Sequence, residues 1–312
     1  MRNALMDALY NLASEDKNFM LLTADLGYGV FEEFESRFPF QYLNVGVAEQ
    51  NMIGIASGLA LEGKTVFLYS IGNFPTLRCL EQIRNDACYH DLNINIIAMG
   101  GGFSYGSLGM SHHATEDIAI MRSLPGVTVI APCTASQTKH ATLALAKRSG
   151  VGYLRIDKSK AEVSDESDIF EIGEMKTLVD GADYAVFVIG GIAEEAVKAS
   201  IELKVDHDIG LKVISLPTLK PFYDHDNAID EVKTKKGIIT LEEGNKENGL
   251  SFMLSSLFVS KSVLPKKFKP LAINDTYVAT VGTQAFLREY SSLSKGNIIS
   301  IILEWELNEG KH

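Results

Sequence analysis

The sequence predicts an α/β protein of two doubly wound domains with mostly parallel sheets. Short apolar runs of strand length alternate with helical stripes along the first half of the chain, the pattern of a parallel sheet with helices on both faces. A polar, acidic stretch then interrupts the alternation, and a second alternating unit follows it. At 312 residues the chain fits two domains of ordinary size, and 46% hydrophobic content suffices for each to have its own core. The expected division is a first domain at 1–163, a linker at 164–180 and a second domain at 181–312.

Taken in order, Ala4, Leu5, Ala8, Leu9 and Leu12 make a helical stripe over residues 2–13, and Phe19-Met-Leu-Leu-Thr23 reads as a buried strand. Residues 42–45, 65–69, 94–99, 127–131 and 152–156 are the further strands expected in the first domain. In the second domain the expected strands are 184–189, 212–216, 237–242 and 298–303, with helices at 193–203 and 250–258. Ligands in open sheets of this kind sit beyond the strand ends, so the site is expected in the loops there.

Composition excludes several classes. A formal charge of -11, with no basic cluster longer than Lys266-Lys-Phe-Lys269, argues against nucleic acid. No apolar stretch approaches the ~18 residues of a membrane span, and Met1 leads into an amphipathic pattern rather than a signal peptide. A cytoplasmic protein is expected. Cys79, Cys88 and Cys133 are too few and scattered for a disulfide framework or zinc site. His90, His140, His207, His225 and His312 are isolated from one another, and only the pair His112 and His113 stands out.

The segment Tyr42-Leu-Asn-Val-Gly-Val-Ala-Glu-Gln-Asn-Met52 sets one carboxylate, Glu49, at the mouth of a helix otherwise built from apolar and small residues. The helix macrodipole alone favours an acid there. Gly54, Ser57, Gly58 and Leu61 then fall near one another at helical spacing. Each glycine inside a helix costs about 1 kcal/mol, which suggests close packing of another helix on that face.

Gly46-Val-Ala-Glu49-Gln-Asn-Met resembles the pyrimidine-domain signature of the transketolase family of thiamine-diphosphate enzymes. Leu80-Glu-Gln-Ile-Arg-Asn85, Gly109-Met-Ser-His112-His113 and Glu116-Asp-Ile-Ala-Ile-Met-Arg-Ser-Leu-Pro125 follow in the family's order and spacing. The resemblance is tight over residues 1 to about 160 and holds at the level of fold from about 181 onward. It implies a pyrimidine-binding domain followed by a transketolase C-terminal domain.

The resemblance also implies roles. Glu49 takes the place of the glutamate that hydrogen-bonds the cofactor's aminopyrimidine, a task suited to a carboxyl in an apolar setting, where desolvation raises its pKa. Phe74 is the expected stacking partner of that ring, with Arg78 and Gln82 among the cofactor-contacting positions. Asp25 and Leu26 approach the thiazolium end. His112 faces the reacting carbons, where a histidine donates or accepts a proton near neutrality. His113, Arg2 and Lys158 complete the substrate-binding set, the last two at the family's phosphate-binding positions. Four departures fall in the substrate region. Leu108, Gly100 and Gly29 replace polar groups of the family, and Lys158 replaces an arginine, keeping charge and losing the planar fork.

The Gly-Asp-Gly segment that holds magnesium and diphosphate in the family is absent from the sequence, and Gly244-Asn-Lys-Glu-Asn-Gly does not substitute for it. The chain therefore resembles the carboxyl-terminal half of a split transketolase. That implies thiamine diphosphate with magnesium held mainly by an amino-terminal partner subunit, in a two-plus-two heterotetramer acting on sugar or sugar-phosphate substrates by transfer of a two-carbon ketol. Two alternatives stay open: a 2-oxoacid-decarboxylating enzyme, favoured by Leu108 and Gly100, and a non-catalytic regulatory subunit.

Overall fold

A computed structural model describes residues 1–163 and 170–309. The start of the expected linker, 164–169, and His312 lie outside the described residues. The first domain runs α1 (Arg2–Glu15), β1 (Phe19–Thr23), α2 (Glu32–Arg37), β2 (Tyr42–Asn44), α3 (Glu49–Leu61), β3 (Thr65–Ile71), α4 (Leu80–Gln82), β4 (Ile94–Met99), α5 (Asp117–Ser123), β5 (Thr128–Ile130), α6 (Ala135–Ala146) and β6 (Gly152–Ile156). The second runs β7 (Lys176–Val179), β8 (Tyr184–Val188), α7 (Ala193–His207), β9 (Leu211–Ser215), β10 (Thr218–Lys220), α8 (His225–Thr234), β11 (Gly237–Asn245), α9 (Leu250–Ser260), β12 (Phe268–Ile273), α10 (Gln284–Tyr290) and α11 (Lys295–Glu309).

Both sheets are mostly parallel. The first has the order β10-β5-β6-β4-β3-β1-β2, and the second β12-β11-β8-β9-β7. The central strands β4 and β6 are buried along their whole length, their mostly apolar runs interrupted only by the buried polar residues Asn95 and Arg155. Among the described residues no helix is long and apolar enough to cross a membrane.

Two expectations are corrected, and a third, close packing on α3, meets no partner within this chain. Residues 298–303 form part of α11 rather than a strand: Ile298, Ile299 and Ile302 are buried at helical spacing against α7. A short apolar run does not distinguish the two periods. The end of the expected linker forms β7, which pairs antiparallel with β9 at the edge of the second sheet. The glycine face of α3 is not covered within the chain. Gly54 and Gly58 are exposed, and a Cβ added at either would meet nothing within 4 Å.

One apolar cluster bridges the two domains, while the first keeps a cluster of its own around Leu5, Phe19 and Leu154 and the second has one built mainly from its own residues around Val186, Ala196 and Ile302. β10, from the second half, pairs antiparallel with β5 at the edge of the first sheet. The bridging cluster includes Leu68 and Ile96 of the first sheet with Phe187, Ile214 and Leu254 of the second domain. Beside it lies a buried ionic junction. Arg155 donates from Nη2 to the Glu243 carbonyl at 2.7 Å and pairs with Asp117 at 3.4 Å and Asp157 at 3.6 Å. The Glu243 carboxylate in turn accepts from Arg288 Nε at 2.6 Å, Phe103 N at 2.5 Å and Gln284 Nε2 at 3.0 Å.

Removing one partner from a buried ion cluster leaves the others uncompensated. Arg155→Met is expected to lower the unfolding free energy by about 3–5 kcal/mol, read as a shift in the urea midpoint; an unchanged midpoint would mean the junction adds nothing. A second expectation concerns Glu242, whose carboxylate accepts from Leu250 N and Ser251 N at the start of α9. Burial pushes its carboxyl from 4.5 up to about 7. Between those values the folded chain keeps a proton that the unfolded chain releases, so this group's contribution to stability falls as pH rises through the window, by about 3 kcal/mol in all. Unfolding curves at pH 5 and pH 8 should show that drop, and Glu242→Gln should shrink it.

Candidate active site

Glu49 is the first residue of α3 and only 3% exposed. The turn that delivers it is held by Asn44 at the end of β2, whose Oδ1 accepts from Gly46 N at 3.0 Å and from Asp25 N at 2.9 Å. Gly46 has φ +76, where a side chain would be strained. α3 has no side-chain N-cap, so Glu49 lies among unsatisfied backbone donors that favour a carboxylate. Its Oε2 accepts from Arg78 Nη1 at 2.8 Å. Oε1 has no hydrogen bond among the described residues.

A continuous run of contacts leads away from this carboxylate. The Arg78 guanidinium lies over the Phe74 ring, 4.8 Å from its centroid. The edge of that ring meets His112 at 5.3 Å between centroids, and His112 is 6.4 Å from Tyr105. Lys158 Nζ sits 3.7 Å from the Tyr105 centroid, close enough for a cation–π attraction. His112 Nδ1 shares a hydrogen bond with Ser111 Oγ at 3.1 Å.

Tyr105 and Lys158 line a cleft of about 420 Å³ together with Arg2, Tyr69, Asp157 and Lys160. Arg2, Lys158 and Lys160 make it cationic at one end, although the chain as a whole is acidic. Burial pulls the Lys158 ammonium below its ordinary value.

The structure thus brings Glu49, Phe74, Arg78 and His112 into one contact chain and sets Arg2 and Lys158 in the adjoining cleft. Gln82 lies one helical turn after Arg78, with a buried Oε1 that has no partner. Asp25 and Leu26 occupy the turn after β1. Asp25 has φ 53 and accepts from Tyr28 Oη at 2.6 Å, and Leu26 lines a separate small pocket with Tyr28 and Asn44.

His113 is not brought to the cleft. It is 3% exposed, packs edge-on to Phe103 at 5.2 Å, and its carbonyl accepts from Asn73 Nδ2. Burial lowers its pKa, so the ring is neutral. The single turn at Met110–His112 ends at His113 in an extended conformation, and the two rings meet different partners, His112 with Phe74 and Tyr105 and His113 with Phe103.

Tyr69, Tyr105 and Lys160 do not stand out in the sequence. Each comes from a separate loop or strand end, and only the assembled fold juxtaposes them. The structure couples Tyr105 to Gly100, which has φ +88 and where a Cβ would lie 2.1 Å from Tyr105 Cε2. The tyrosine ring therefore fills the space that a side chain at residue 100 would need. Among the described residues, no group of three or more His, Cys, Asp or Glu could hold a metal ion.

Residues 1–163 match the family described as transketolase, pyrimidine binding domain, and residues 173–297 match transketolase, C-terminal domain. A Methanocaldococcus jannaschii protein named as a putative transketolase C-terminal section is 36% identical over 97% of this chain and 95% of its own length. A subunit of the apulose-4-phosphate transketolase of Phocaeicola vulgatus is 31% identical, over 97% and 96%. A solved structure titled "Split gene transketolase, inactive beta4 tetramer" superposes with a TM-score of 0.84 at 28% identity, covering 97% of this chain and 96% of that one.

Gly100→Ala should force the Tyr105 ring out of its seat and strain the backbone. The expected loss is about 2 kcal/mol, with a changed near-ultraviolet circular dichroism signal from the displaced ring. An unaltered signal and melting midpoint would show that the ring is not held there.

Proposed function

The chain belongs to the transketolase family, and from that premise we propose that it is one half of a split, thiamine-diphosphate-dependent transketolase moving a two-carbon ketol between sugar or sugar-phosphate substrates. The observation that carries this reading is the run from Glu49 through Arg78, Phe74 and His112 into a cationic cleft at Arg2 and Lys158. It joins a proton-handling carboxylate, a flat apolar ring, a histidine and an anion-binding end in one continuous surface.

The residues present fit the aminopyrimidine half of the cofactor. Glu49 Oε1 and Gln82 Oε1 lack protein partners among the described residues, and the Phe74 face is free of any contact more fixed than Arg78, which is 48% exposed at its side chain and has room to swing aside. When bound, thiamine diphosphate supplies the carbanion chemistry that breaks and remakes the ketol carbon–carbon bond. Glu49 would hold a proton toward the aminopyrimidine, Phe74 would orient that ring, and Asp25 and Leu26 would lie toward the thiazolium. His112 exchanges a proton with the reacting oxygen. Arg2 and Lys158 bind the anionic end of the substrate, and His113 supports the loop from beneath.

The diphosphate and magnesium are assigned to an amino-terminal partner subunit. Two relatives, one named as a C-terminal section and the other as one subunit of a transketolase, support that division. The uncovered Gly54 and Gly58 face of α3, adjoining Glu49 and flanked by exposed Val47 and Leu61, fits the close approach of such a subunit. A two-plus-two assembly in the cytoplasm is the proposed working form.

The decarboxylating alternative draws on Leu108, which is exposed without a polar head, and on Gly100. Carbon dioxide released from pyruvate by the assembled enzyme, with no transfer from a ketose phosphate, would establish it in place of ketol transfer. The non-catalytic alternative is tested with the cofactor: thiamine diphosphate and magnesium are titrated into the chain alone and then into its mixture with a candidate amino-terminal half. Binding only in the mixture supports the split enzyme, and no binding in a demonstrably assembled complex supports the regulatory reading. In the active complex, Glu49→Ala should lower the turnover rate about 100 to 10,000-fold; full activity in that variant would remove Glu49 from the mechanism.

A further inference from the structure

We propose that Tyr69 and Tyr105 are specificity-determining residues of the cationic cleft, their phenol hydroxyls hydrogen-bonding the sugar hydroxyls of a ligand whose anionic end rests on Arg2 and Lys158. This deepens, and rests on, the reading of that cleft as the anion-binding end of the site.

Tyr69 is the first support. It lies near the end of β3, is 5% exposed, and packs its ring edge-on to Phe31 at 4.8 Å. Its hydroxyl has no hydrogen-bond partner among the described residues, yet the side chain lines the cleft. The residue is buried, but its hydroxyl is not among the sealed, unpaired polar atoms, so it opens into the cleft and its hydrogen-bonding capacity is available to a ligand there. The ring is fixed by its packing, so the hydroxyl is held in place before any ligand arrives.

Tyr105 is placed by a different constraint. Its ring occupies the volume beside Gly100, where a Cβ would lie 2.1 Å from Cε2. Lys158 Nζ stands 3.7 Å from the centroid of the same ring. Its hydroxyl also has no hydrogen-bond partner among the described residues. The Arg2 charge acts on both phenols, so the two hydroxyls share the neighbourhood of that guanidinium. Burial pushes both phenols above their ordinary value. They stay protonated at neutral pH and can each donate one hydrogen bond and accept others.

The contacts along the surface assign the chemistry read. Tyr105 neighbours both His112 and Lys158. A ligand spanning from His112 to the Arg2 and Lys158 end meets the phenols with its middle carbons. Neutral donor–acceptor groups suit hydroxyl-bearing carbons there, while the lysine and arginine suit a phosphate or another fixed anion.

The experiment is isothermal titration of D-ribose 5-phosphate and, separately, inorganic phosphate into the full chain and its Tyr69→Phe and Tyr105→Phe variants. Both substitutions keep the ring, so the space beside Gly100 stays filled and melting midpoints should hold. The expected result is tighter binding of the sugar phosphate than of phosphate by the unaltered chain. Each variant should then lose about 2- to 10-fold in affinity for the sugar phosphate with phosphate binding unchanged. Variants that bind both ligands like the unaltered chain would overturn the tyrosine assignment while leaving the anion-binding cleft intact. Failure of the unaltered chain to bind either ligand would overturn the anion-binding reading, and this inference with it.

Discussion

The site depends on one buried guanidinium. Arg155 projects from β6 among Asp117, Asp157 and the Glu243 carbonyl, all out of contact with solvent. A cation so placed is tolerable only because the surrounding oxygens replace its hydration. The loops that carry the cleft residues are tied to it. Gly101 must be glycine because a Cβ there would lie 1.8 Å from Arg155 Nε, and that glycine starts the loop carrying Tyr105 and His112. Asp157 directly precedes Lys158 and also accepts from Gly191 N at 2.5 Å, so the cleft lysine is anchored to the second domain as well.

The second domain acts on the site through the loop that bears His112. Gly282 N donates to the Gly106 carbonyl at 3.3 Å, and Leu287 of α10 closes on Gly106 so tightly that an added Cβ would be 2.4 Å from Cδ1. Glu243 holds the start of the loop through Phe103 N. The loop is thus clamped at two points by groups more than a hundred residues away in sequence. The shared apolar cluster makes this clamp rigid, because interiors packed at crystal-like density transmit position instead of absorbing it.

Much of the candidate site is legible in the sequence where function is local. Glu49 can be read from the oddity of a carboxylate among small apolar residues, and Phe74, Arg78 and His112 from short segments in a recognisable order. Tyr69 and Tyr105 cannot. Nothing in Tyr69-Ser-Ile-Gly or Ser-Tyr105-Gly sets these residues apart from core aromatics, and their significance arises only where β3, the 100–113 loop and α1 meet. His113 shows the converse: adjacency to His112 suggests a shared role, but the turn ends between them and the two rings pack against different partners, Phe74 and Phe103.

From sequence alone came the two α/β domains, the mostly parallel sheets and the chemistry-bearing segments, because strand and helix periodicity and short motifs are encoded by neighbouring residues. Tertiary structure alone decided that Ile298, Ile299 and Ile302 lie on a helix packed on α7, that β10 crosses to the edge of the first sheet, and that one apolar cluster bridges the two domains. It also decided which cations meet which phenols. The physical reason is common to all of these. They depend on which surfaces are buried against each other across long stretches of chain, and burial outweighs the small local preferences that a sequence displays.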